Sequence, residues 1–371
     1  MSASDLYIGL MSGTSLDGID GVLADFSGPR MRVSHHASAP FAPALRAELL
    51  ALNTPGDNEL PRAALAGNAL SRAYAEVVQT LLQRSGLPAS AIRALGAHGQ
   101  TVRHRPQEFD GTGYTLQLLS PALLAERTGI TVVADLRSRD VAAGGQGAPL
   151  VPAFHQGVFG RPGETVLVLN IGGISNLSVL GADGSVLGFD CGPGNALMDH
   201  WCQLHTGQPF DRDGAWAATG QLLPGLLASL MQEHFLHKPP PKSTGRDLFN
   251  PPWLATHLER FGSAAPADVQ ATLTEFTATA CSACADSYKI DSKILAVCGG
   301  GALNTQLMRR LQALCPALQV VATDALGLPA LQVEAAAFAW LSRQALHQAP
   351  GNLPSVTGAA GTRVLGAVYP A

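Results

Sequence analysis

Hydrophobic positions along the chain form short continuous runs that alternate with longer stretches of helical spacing, and this alternation predicts an α/β fold. The first run, residues 6–11, predicts a buried strand. Residues 12–18 are small, hydroxylated or acidic apart from Leu16, and residues 19–26 predict a returning strand. The chain therefore opens with a hairpin whose turn carries hydrogen-bonding groups.

A second unit with the same pattern begins near residue 165. It consists of a strand, a tight turn, a returning strand and one more strand, at residues 165–170, 171–173, 174–180 and 185–190. We therefore predict two structurally related halves, residues 1–163 and 164–371, with a hinge at 161–164 (ArgProGlyGlu). The sequence similarity between the halves is weak.

Longer stretches with apolar residues at helical spacing predict helices. They cover residues 61–84, 265–289, 304–314 and 330–346. Residues 239–243 contain three prolines in a row and predict a surface loop.

Composition narrows the functional classes. The chain has 371 residues, enough for two domains, and 46% hydrophobic residues, enough to build their cores. The net charge of −4, without a Lys/Arg run, argues against nucleic-acid and membrane-surface partners. The chain shows neither a signal peptide nor an apolar run of about 20 residues, so we expect a cytoplasmic protein.

The six cysteines are scattered, which favours reduced core thiols over a disulfide framework. Cys281 and Cys284 form a single CxxC pair within the predicted helix 265–289. Because no second pair accompanies it, helix packing is favoured over a zinc or redox role.

The first turn resembles a phosphate-binding loop. Gly13 and Gly18 would let backbone approach an anion, and hydroxyls at Ser12, Thr14 and Ser15 could donate hydrogen bonds. The nearby Asp17 and Asp20 could hold Mg²⁺ through water. An ordinary hairpin turn is the alternative, but so many such residues directly after a buried strand favour phosphate binding.

Two further glycine turns are of the same kind. Asn170–Asn176 contains Gly172 and Gly173 between two predicted strands, and Cys298–Asn304 joins a strand to a helix through three glycines. Either turn alone is weak evidence. Paired with the first loop, the turn at 170–176 predicts a second phosphate clamp, and the turn at 298–304 would let a flat ring or a sugar lie on the backbone. Neither is a Walker A loop, because no GK[ST] follows.

Asp190 stands at the predicted end of the strand 185–190, before a Gly/Pro turn. A carboxylate in that position is well placed to act as a general base, with capping of the turn as the alternative. Two polar segments, residues 98–104 and 135–140, each follow a predicted strand and supply groups suited to a sugar. A structural role for His98 and His104 is equally compatible with the pattern.

Seven segments in order along the chain resemble the anhydro-N-acetylmuramic acid kinase family. They are residues 9–20 (GLMSGTSLDGID), 98–104 (HGQTVRH), 135–149 (DLRSRDVAAGGQGAP), 170–176 (NIGGISN), 189–195 (FDCGPGN), 242–250 (KSTGRDLFN) and 299–304 (GGGALN). The first and third are specific, whereas the last is shared with many sugar kinases.

The resemblance implies an actin/hexokinase-like (ribonuclease H-like) duplicated fold, with ATP and Mg²⁺ in an interlobe cleft. It also implies the reaction: water opens the 1,6-anhydro bridge of anhydro-N-acetylmuramic acid while O6 is phosphorylated, in cell-wall recycling. Asp190 takes the family's general-base position.

The remaining site residues follow from the motifs. We predict nucleotide contacts from Ser12, Gly13, Thr14, Ser15, Leu16, Asp17, Gly18, Ile19, Asp20, Gly172, Gly173, Gly300, Gly301 and Asn304. We predict sugar contacts from Gln100, Arg137, Asn176 and Glu334, the last being the single acid of the helix 330–346.

Two positions depart from the expected patterns. Leu10 stands where most of the wider superfamily carries an aspartate, so the metal ligands are left open. Asp247 stands where the family's KSTGRE-type stretch has glutamate.

Two rival functions remain open at this stage. One is a related kinase acting on a free sugar hydroxyl or on acetate, and the other is a non-catalytic actin-like sugar sensor. The oligomeric state is also open, with a homodimer as one option.

Overall fold

The computed structural model describes residues 5–13, 16–245, 248–288 and 292–371. In chain order, the elements up to residue 159 are β1 (Leu6–Met11), β2 (Gly18–Asp25), β3 (Arg32–Pro40), α1 (Pro43–Ala51), α2 (Glu59–Ser85), β4 (Ala94–Ala97), β5 (Gln100–Pro106), β6 (Gly113–Leu118), α3 (Pro121–Thr128), β7 (Val132–Ala134), α4 (Ser138–Ala142) and α5 (Val151–Phe159). From residue 165 they are β8 (Thr165–Ile171), β9 (Ile174–Leu180), β10 (Val186–Pro193), α6 (Ala196–Thr206), α7 (Pro224–Leu230), α8 (Pro251–Leu258), α9 (Pro266–Asp286), β11 (Ser292–Cys298), α10 (Thr305–Leu314), β12 (Gln319–Ala322), α11 (Val333–Leu346), α12 (Pro354–Thr357) and β13 (Ala367–Tyr369).

The strands and helices predicted from the hydrophobic pattern are confirmed, with ends that shift by a few residues. One boundary differs in an informative way. The strand predicted to end at Asp190 continues as β10 to Pro193, through a bulge between Asp190 and Gly192. The glycines and proline that suggested a turn instead form the bulged end of a strand.

The chain divides into two compact units. The first unit contains residues up to Val158 together with Gln332–Ala371, and the second unit contains Phe159–Leu331. The predicted division at residue 163 lies close to the first boundary, but the prediction placed the last forty residues in the second half. In the structure α11 packs on β1 and β4 of the first unit.

Two glycines explain why α11 belongs to the first unit. A Cβ atom on Gly9 would lie 1.8 Å from the carbonyl oxygen of Ala335, and one on Gly96 would lie 1.9 Å from that of Phe338. The helix backbone therefore rests directly on the strands, and the alanines of α11 let it approach so closely. A contact of this kind is invisible in the spacing of apolar residues along the chain.

Both units are built on the same strand order. The first sheet runs β13-β7-β4-β1-β2-β3 and the second runs β10-β9-β8-β11-β12. In each, the first three strands form an antiparallel meander, and the next two lie parallel to the first strand. The α/β class and the duplicated, actin/hexokinase-like topology predicted from the sequence are thus confirmed.

Each unit has its own apolar core, and in the first unit apolar residues cover both faces of the sheet, under α2 and under α11. In the first, Leu70, Tyr74 and Val78 of α2 are buried against the meander. In the second, α9 is buried on most of its surface, with Leu273 and Phe276 in the core. Among the described helices, none combines the length and the hydropathy needed to span a membrane.

Candidate active site

The first turn is anchored by a buried serine. Ser12 is 1% exposed, its Oγ donates to the carbonyl oxygen of Gly99 at 3.0 Å, and its Oγ lies 2.8 Å from the hydroxyl of Tyr74. Arg46 holds the other end through a hydrogen bond from Nε to the carbonyl oxygen of Leu16, at 2.9 Å. Leu16 has φ of 57°, a left-handed backbone that non-glycine residues adopt at a cost. Thr14 and Ser15, both predicted nucleotide contacts, lie outside the described residues.

Several predicted nucleotide contacts in this turn have structural roles. The side chains of Leu16 and Ile19 lie in the apolar core, so at these positions only backbone atoms remain for a ligand. A Cβ atom on Gly18 would lie 2.4 Å from the carbonyl oxygen of Ala39, so β3 already accounts for this glycine. Strand packing is therefore a sufficient reason for glycine at position 18, and its predicted nucleotide contact stays a prediction.

The two aspartates of the first turn make different hydrogen bonds. Asp20 Oδ1 lies 3.0 Å from Nε2 of His36 on the neighbouring strand, and both side chains are partly exposed. Asp17 accepts a backbone hydrogen bond from Phe41 at its carbonyl oxygen, at 3.4 Å. Leu10, where a superfamily aspartate was expected, is fully buried in the core, so a carboxylate does not fit there.

A neutral histidine links the first turn to Arg137. His98 Nδ1 lies 3.0 Å from the carbonyl oxygen of Ser12, while Arg137 Nη2 lies 2.9 Å from His98 Nε2. Because a guanidinium can only donate, Nε2 accepts and Nδ1 carries the proton. Burial, followed by the Arg137 charge, lowers the pKa of His98 to about 3. His98 therefore stays neutral, and the structural role left open by the sequence is its observed one.

Arg137 is more strongly engaged than a predicted sugar contact requires. Its Nη1 donates to the carbonyl oxygen of Gly147 at 2.8 Å, and both Nε and Nη2 point to His98. The guanidinium thus joins the first turn to residues 144–149. Its contact with a sugar stays a prediction.

Asp140 organises the same glycine-rich segment. Its buried carboxylate accepts hydrogen bonds from the Gly147 N–H at 2.7 Å, from Asn352 Nδ2 at 2.6 Å and from Thr357 Oγ1 at 2.8 Å. Part of the segment predicted to serve a sugar therefore serves the fold instead. Two of these partners, Asn352 and Thr357, come from the C-terminal forty residues, which sequence spacing did not connect to this segment.

Gln100 leaves one polar atom available beside the first turn. The residue is 1% exposed, and its Nε2 donates to the carbonyl oxygen of Gly13 at 3.1 Å. Its Oε1 has no hydrogen-bond partner within the part of the chain that the structure describes. A buried amide oxygen of this kind usually has a partner, and a ligand hydroxyl would supply one. This observation fits the predicted sugar contact at Gln100, which stays a prediction.

In the second unit, three predicted segments meet. The backbone N–H groups of Gly194 and Asn195 donate to the carbonyl oxygens of Gly173 and Gly172, at 3.0 and 2.7 Å. Asn195 Nδ2 donates to the Ile171 carbonyl oxygen at 3.2 Å. On the other side, a Cβ atom on Gly301 would lie 2.5 Å from the Cβ of Ile171. The segments 171–173, 192–195 and 299–301 therefore pack against one another and form one glycine-rich surface.

One glycine of this surface, Gly172, is not explained by packing. A Cβ atom on Gly172 would meet nothing closer than the Ile174 carbonyl oxygen at 3.6 Å, an ordinary contact, whereas one on Gly300 would lie 3.3 Å from Asn195 Nδ2, a tight contact. Neither residue has a left-handed backbone. Since packing does not require glycine at position 172, a ligand that approaches the backbone would account for it. We call the surface around Gly172 and Gly300 the glycine cradle.

A row of polar side chains crosses the second sheet beside this cradle. Asn170 of β8 pairs with Asn176 of β9, and Asn176 pairs with Asp190 of β10. Directly opposed residues of antiparallel strands share a face, with Cβ atoms about 5 Å apart. The structure thus brings two predicted site residues, Asn176 and Asp190, side by side. Asn170 is a third member that the sequence did not single out as a contact.

The orientation of Asp190 is fixed by a segment beyond the sheet. The Asp190 N–H donates to the Lys242 carbonyl oxygen at 3.0 Å, and Thr244 N–H donates to Asp190 Oδ2 at 2.8 Å. Residues 242–244 thus lie along the edge of β10. The sequence prediction assigned no role to Lys242 or Thr244, although both belong to the motif at 242–250; Asp247 of that motif lies outside the described residues.

Asn304 has a structural task that the sequence prediction did not foresee. Its Oδ1 accepts from the Leu307 N–H at 3.0 Å and caps α10. A Cβ atom on Gly214 would lie 2.3 Å from the same oxygen. The turn at residues 211–216 therefore adjoins the GGGALN segment. The AspGly pair at 213–214 could have indicated this turn from the sequence, because both residues have the left-handed backbone that turns often require.

Glu334 lies in the first turn of α11, partly buried, where a negative charge is favoured by the helix dipole. Its predicted sugar contact remains untested. Across the described ranges, no three His, Cys, Asp or Glu side chains are grouped to hold a metal ion, so the ligands of Mg²⁺ stay unassigned.

Comparison with known proteins identifies the family. The family model described as anhydro-N-acetylmuramic acid kinase matches residues 5–371. A curated relative from Variovorax paradoxus (strain S110) is 68% identical over 374 residues, covering 100% of both chains. One from Albidiferax ferrireducens (strain ATCC BAA-621 / DSM 15236 / T118) is 62% identical over 388 residues, covering 99% of this chain and 100% of the relative. Both carry the name anhydro-N-acetylmuramic acid kinase.

Among solved structures, the chain has a distant similarity to a ROK family glucokinase from Streptomyces griseus in complex with glucose and AMPPNP. The TM-score is 0.42 and the identity 14%, over 91% of this chain and 99% of that chain. From the family match and the full-length relatives, the chain belongs to the anhydro-N-acetylmuramic acid kinase family.

Proposed function

We propose that the protein is an ATP-dependent kinase that opens the 1,6-anhydro ring of anhydro-N-acetylmuramic acid with water and phosphorylates O6, giving N-acetylmuramic acid 6-phosphate. Full-length relatives at 68% and 62% identity carry the corresponding name. The observation that supports it most directly is the placement of Asp190 beside Asn176, in the same sheet as the uncovered Gly172 of the glycine cradle.

Asp190 is the general base of this proposal. The Thr244 N–H fixes one carboxylate oxygen, so the group is held in one orientation. A carboxylate held in this way can take a proton from water as the water oxygen attacks the anomeric carbon. The bond between C1 and O6 breaks in the same event, and the charge that develops on O6 makes it the phosphoryl acceptor.

The cradle at residues 171–173 and 299–301 would hold the nucleotide phosphates. When bound, ATP with Mg²⁺ supplies the phosphoryl group and neutralises part of the charge that develops during transfer. The protein contributes rigid backbone at Gly172 and Gly300, where a side chain would intrude between phosphate and main chain. Positioning of this kind is the main catalytic contribution expected of a protein in phosphoryl transfer.

The first turn, in the first unit, is held by a hydrogen-bonded network of its own. Ser12, the neutral His98 and the charged Arg137 form an internally hydrogen-bonded network, which fixes the backbone at Ser12. Gln100 Oε1 offers an acceptor beside it. We infer that the network keeps the turn in one conformation for nucleotide binding. The cytoplasmic location and the homodimer stay predictions from the sequence.

The proposed reaction is tested by measuring whether an oxygen atom from water is incorporated into the sugar product. Anhydro-N-acetylmuramic acid, ATP and Mg²⁺ are incubated with the enzyme in ¹⁸O water, and the product is analysed by mass spectrometry. The proposal expects a product heavier than sugar plus phosphoryl by one labelled water, with ¹⁸O on C1 and none in the phosphate.

The anomeric oxygen can exchange with solvent, so unlabelled product incubated in ¹⁸O water is the control. A product without added water would instead identify a kinase acting on a free hydroxyl. Label in released inorganic phosphate without a sugar product would identify an ATPase and overturn the proposal.

A further inference from the structure

The carboxylate of Asp190 is oriented by a segment that lies outside the second sheet. Asp190 is on β10, the edge strand of that sheet. Its Oδ2 accepts a hydrogen bond from the Thr244 N–H at 2.8 Å, and its own N–H donates to the Lys242 carbonyl oxygen at 3.0 Å. The direction in which the carboxylate points therefore depends on where residues 242–244 lie.

The chain just before this segment has few means of holding it in place. Residues 239–241 are three consecutive prolines, which have no N–H and cannot donate a backbone hydrogen bond. The Lys238 N–H before them donates to the Phe235 carbonyl oxygen at 3.2 Å and belongs to the end of a short 3₁₀ helix, His234–His237. An anchor for residues 242–244 has to come from a side chain or from the segment itself.

The side chain of Lys242 supplies such an anchor. Its Nζ donates to the carbonyl oxygens of Leu236 and Phe235, at 3.0 and 3.4 Å, and lies 4.9 Å from the centroid of the Phe235 ring. Both carbonyl groups are in the last turn of the 3₁₀ helix, where backbone acceptors lack partners and a positive charge is favoured. Lys242 thus binds the 3₁₀ helix through its side chain and β10 through its carbonyl oxygen.

The 3₁₀ helix is itself fixed to the second unit. Phe235 is 5% exposed and belongs to the apolar core. The carboxylate of Glu233 accepts from the Phe235 N–H at 3.1 Å and from Trp253 Nε1 at 3.0 Å. A Cβ atom on Gly192 would lie 2.8 Å from Cδ2 of Leu236, so the 3₁₀ helix also adjoins the bulge of β10. Lys242 therefore ties residues 242–244 to a support that packs on the strand of Asp190.

We propose that Lys242 is a positioning residue for the reaction: its ammonium group, bound to the end of the 3₁₀ helix, holds residues 242–244 so that the Thr244 N–H meets the Asp190 carboxylate. Lys242 acts through Asp190 and does not itself contact the substrate. The effect on catalysis rests on the proposed role of Asp190 as general base, whereas the anchoring of the segment does not.

Kinetics of Lys242 variants test the effect on catalysis. Lys242→Met removes the charge and the donors but keeps an unbranched side chain. We expect kcat to fall by about 10²-fold, the cost of displacing a catalytic group by about 1 Å, with the KM for ATP unchanged. Lys242→Arg should keep most of the activity, because a guanidinium can donate to the same carbonyl groups and stack on Phe235. Circular dichroism verifies that each variant is folded.

The matched control is Lys238→Met, which removes an exposed lysine from the end of the same 3₁₀ helix and should leave kcat unchanged. Near-normal kcat in Lys242→Met would overturn the positioning role. An equal loss of activity in Lys242→Arg and Lys242→Met would also overturn it, because the contact with the carbonyl groups would then not be the cause.

A double-mutant cycle separates action through Asp190 from a general loosening of the enzyme. Lys242→Met is combined with Asp190→Asn, and kcat is measured for all four proteins. If Lys242 acts through the carboxylate, it should cause little further loss once that carboxylate is gone. The same fold-loss in both backgrounds would show that Lys242 acts elsewhere and would overturn the proposal.

Hydrogen exchange tests the anchoring without reference to activity. Deuterium uptake is measured by mass spectrometry on a peptide covering residues 238–245, where the three prolines contribute no amide and the signal comes mainly from residues 242–245. Uptake should be faster in Lys242→Met than in the wild type and unchanged in Lys238→Met. Equal uptake in Lys242→Met and the wild type would overturn the anchoring.

The proposed function can fail separately from this inference. A wild-type enzyme without kinase activity on anhydro-N-acetylmuramic acid would refute the proposed function, and near-normal kcat in Asp190→Asn would refute the proposed base. In either case the exchange measurement still decides whether Lys242 holds residues 242–244.

Discussion

The two units share a strand order but use the corresponding row of their sheets differently. In the second unit the row across the meander is Asn170, Asn176 and Asp190. In the first unit the equivalent strand pairing joins Met11, Asp20 and Ser38. The acid therefore stands on the third strand in one unit and on the second strand in the other.

The two units also differ at the end of the parallel strand beside this row, which is β4 in the first unit and β11 in the second. His98 follows β4 in the first unit, where its N–H donates to the Leu10 carbonyl oxygen, while Cys298 pairs with Asn170 in the second. Around the first row, side chains fix the turn: Tyr74, His98 and Arg46 all bond to it. Around the second, backbone bonds fix the turn and leave Gly172 uncovered. The two units thus share a topology, but side chains hold the turn of the first unit and backbone hydrogen bonds hold that of the second.

The largest expected effect comes from the second row. Asp190→Asn should lower kcat by about 10²–10⁴-fold with no change in Tm, because the amide keeps the shape but cannot accept the proton. Steady-state kinetics with a thermal melt measure both. Asp183→Asn, in an exposed turn of the same sheet, is the control and should change neither. Asp20→Asn, in the matching row, should instead raise the KM for ATP. Near-normal kcat in Asp190→Asn would remove it from the mechanism.

The next largest effect concerns Gly9, a glycine of the first unit whose Cβ position is already occupied by backbone atoms of α11. Gly9→Ala should lower the free energy of unfolding by about 3 kcal/mol or more, because the new methyl overlaps the backbone of α11. Gly157→Ala is the matched control: nothing lies within 4 Å of its Cβ, and alanine in a helix should raise stability by up to about 1 kcal/mol. Urea unfolding at fixed pH measures both. Equal stabilities for the two variants would contradict the close packing of α11.

The neutral histidine of the first unit predicts a pH effect on stability. The unfolded chain protonates His98 near pH 6.5 but the folded protein only near pH 3, so acid favours unfolding. The stabilisation is complete above pH 6.5 and is lost as pH falls toward 3, at about 1.4 kcal/mol per pH unit.

His98→Asn should flatten the pH dependence of unfolding by that amount, since asparagine can both accept from Arg137 and donate to Ser12. Urea unfolding from pH 7 to pH 4 gives the slopes. His155, also buried with a pKa of about 3, contributes its own slope in both proteins and cancels in the comparison. Parallel curves for wild type and variant would show that His98 is protonated in the folded state.

The smallest expected effect distinguishes Gly172, which has free space at its Cβ position, from Gly18, which has none. Gly172→Ala should raise the KM for ATP about tenfold with Tm unchanged, because its methyl enters open space that a phosphate would occupy. Gly18→Ala is the counterpart and should lower Tm, since its methyl meets the Ala39 carbonyl oxygen. An unchanged KM for Gly172→Ala would detach this turn from nucleotide binding.

Much of the fold could be predicted from the sequence because its signals are local. Apolar runs at 6–11 and 165–170 must become buried strands, and small polar residues after each must turn. The motifs placed Asp190 and Asn176 near glycine turns, and the structure sets these two side by side. Local signals also carried an error: glycines after Asp190 suggested a turn, whereas pairing with β9 extends the strand through a bulge.

The tertiary structure alone decided which glycines are covered by other parts of the chain. Gly9, Gly18 and Gly172 look alike in the sequence, yet the first two are covered by backbone from elsewhere in the chain and the third is not. Likewise α11 belongs to the first unit only because it packs on β1 and β4. Chain proximity fixes local geometry, but contacts between segments far apart in sequence depend on packing, and no spacing rule along the chain encodes them.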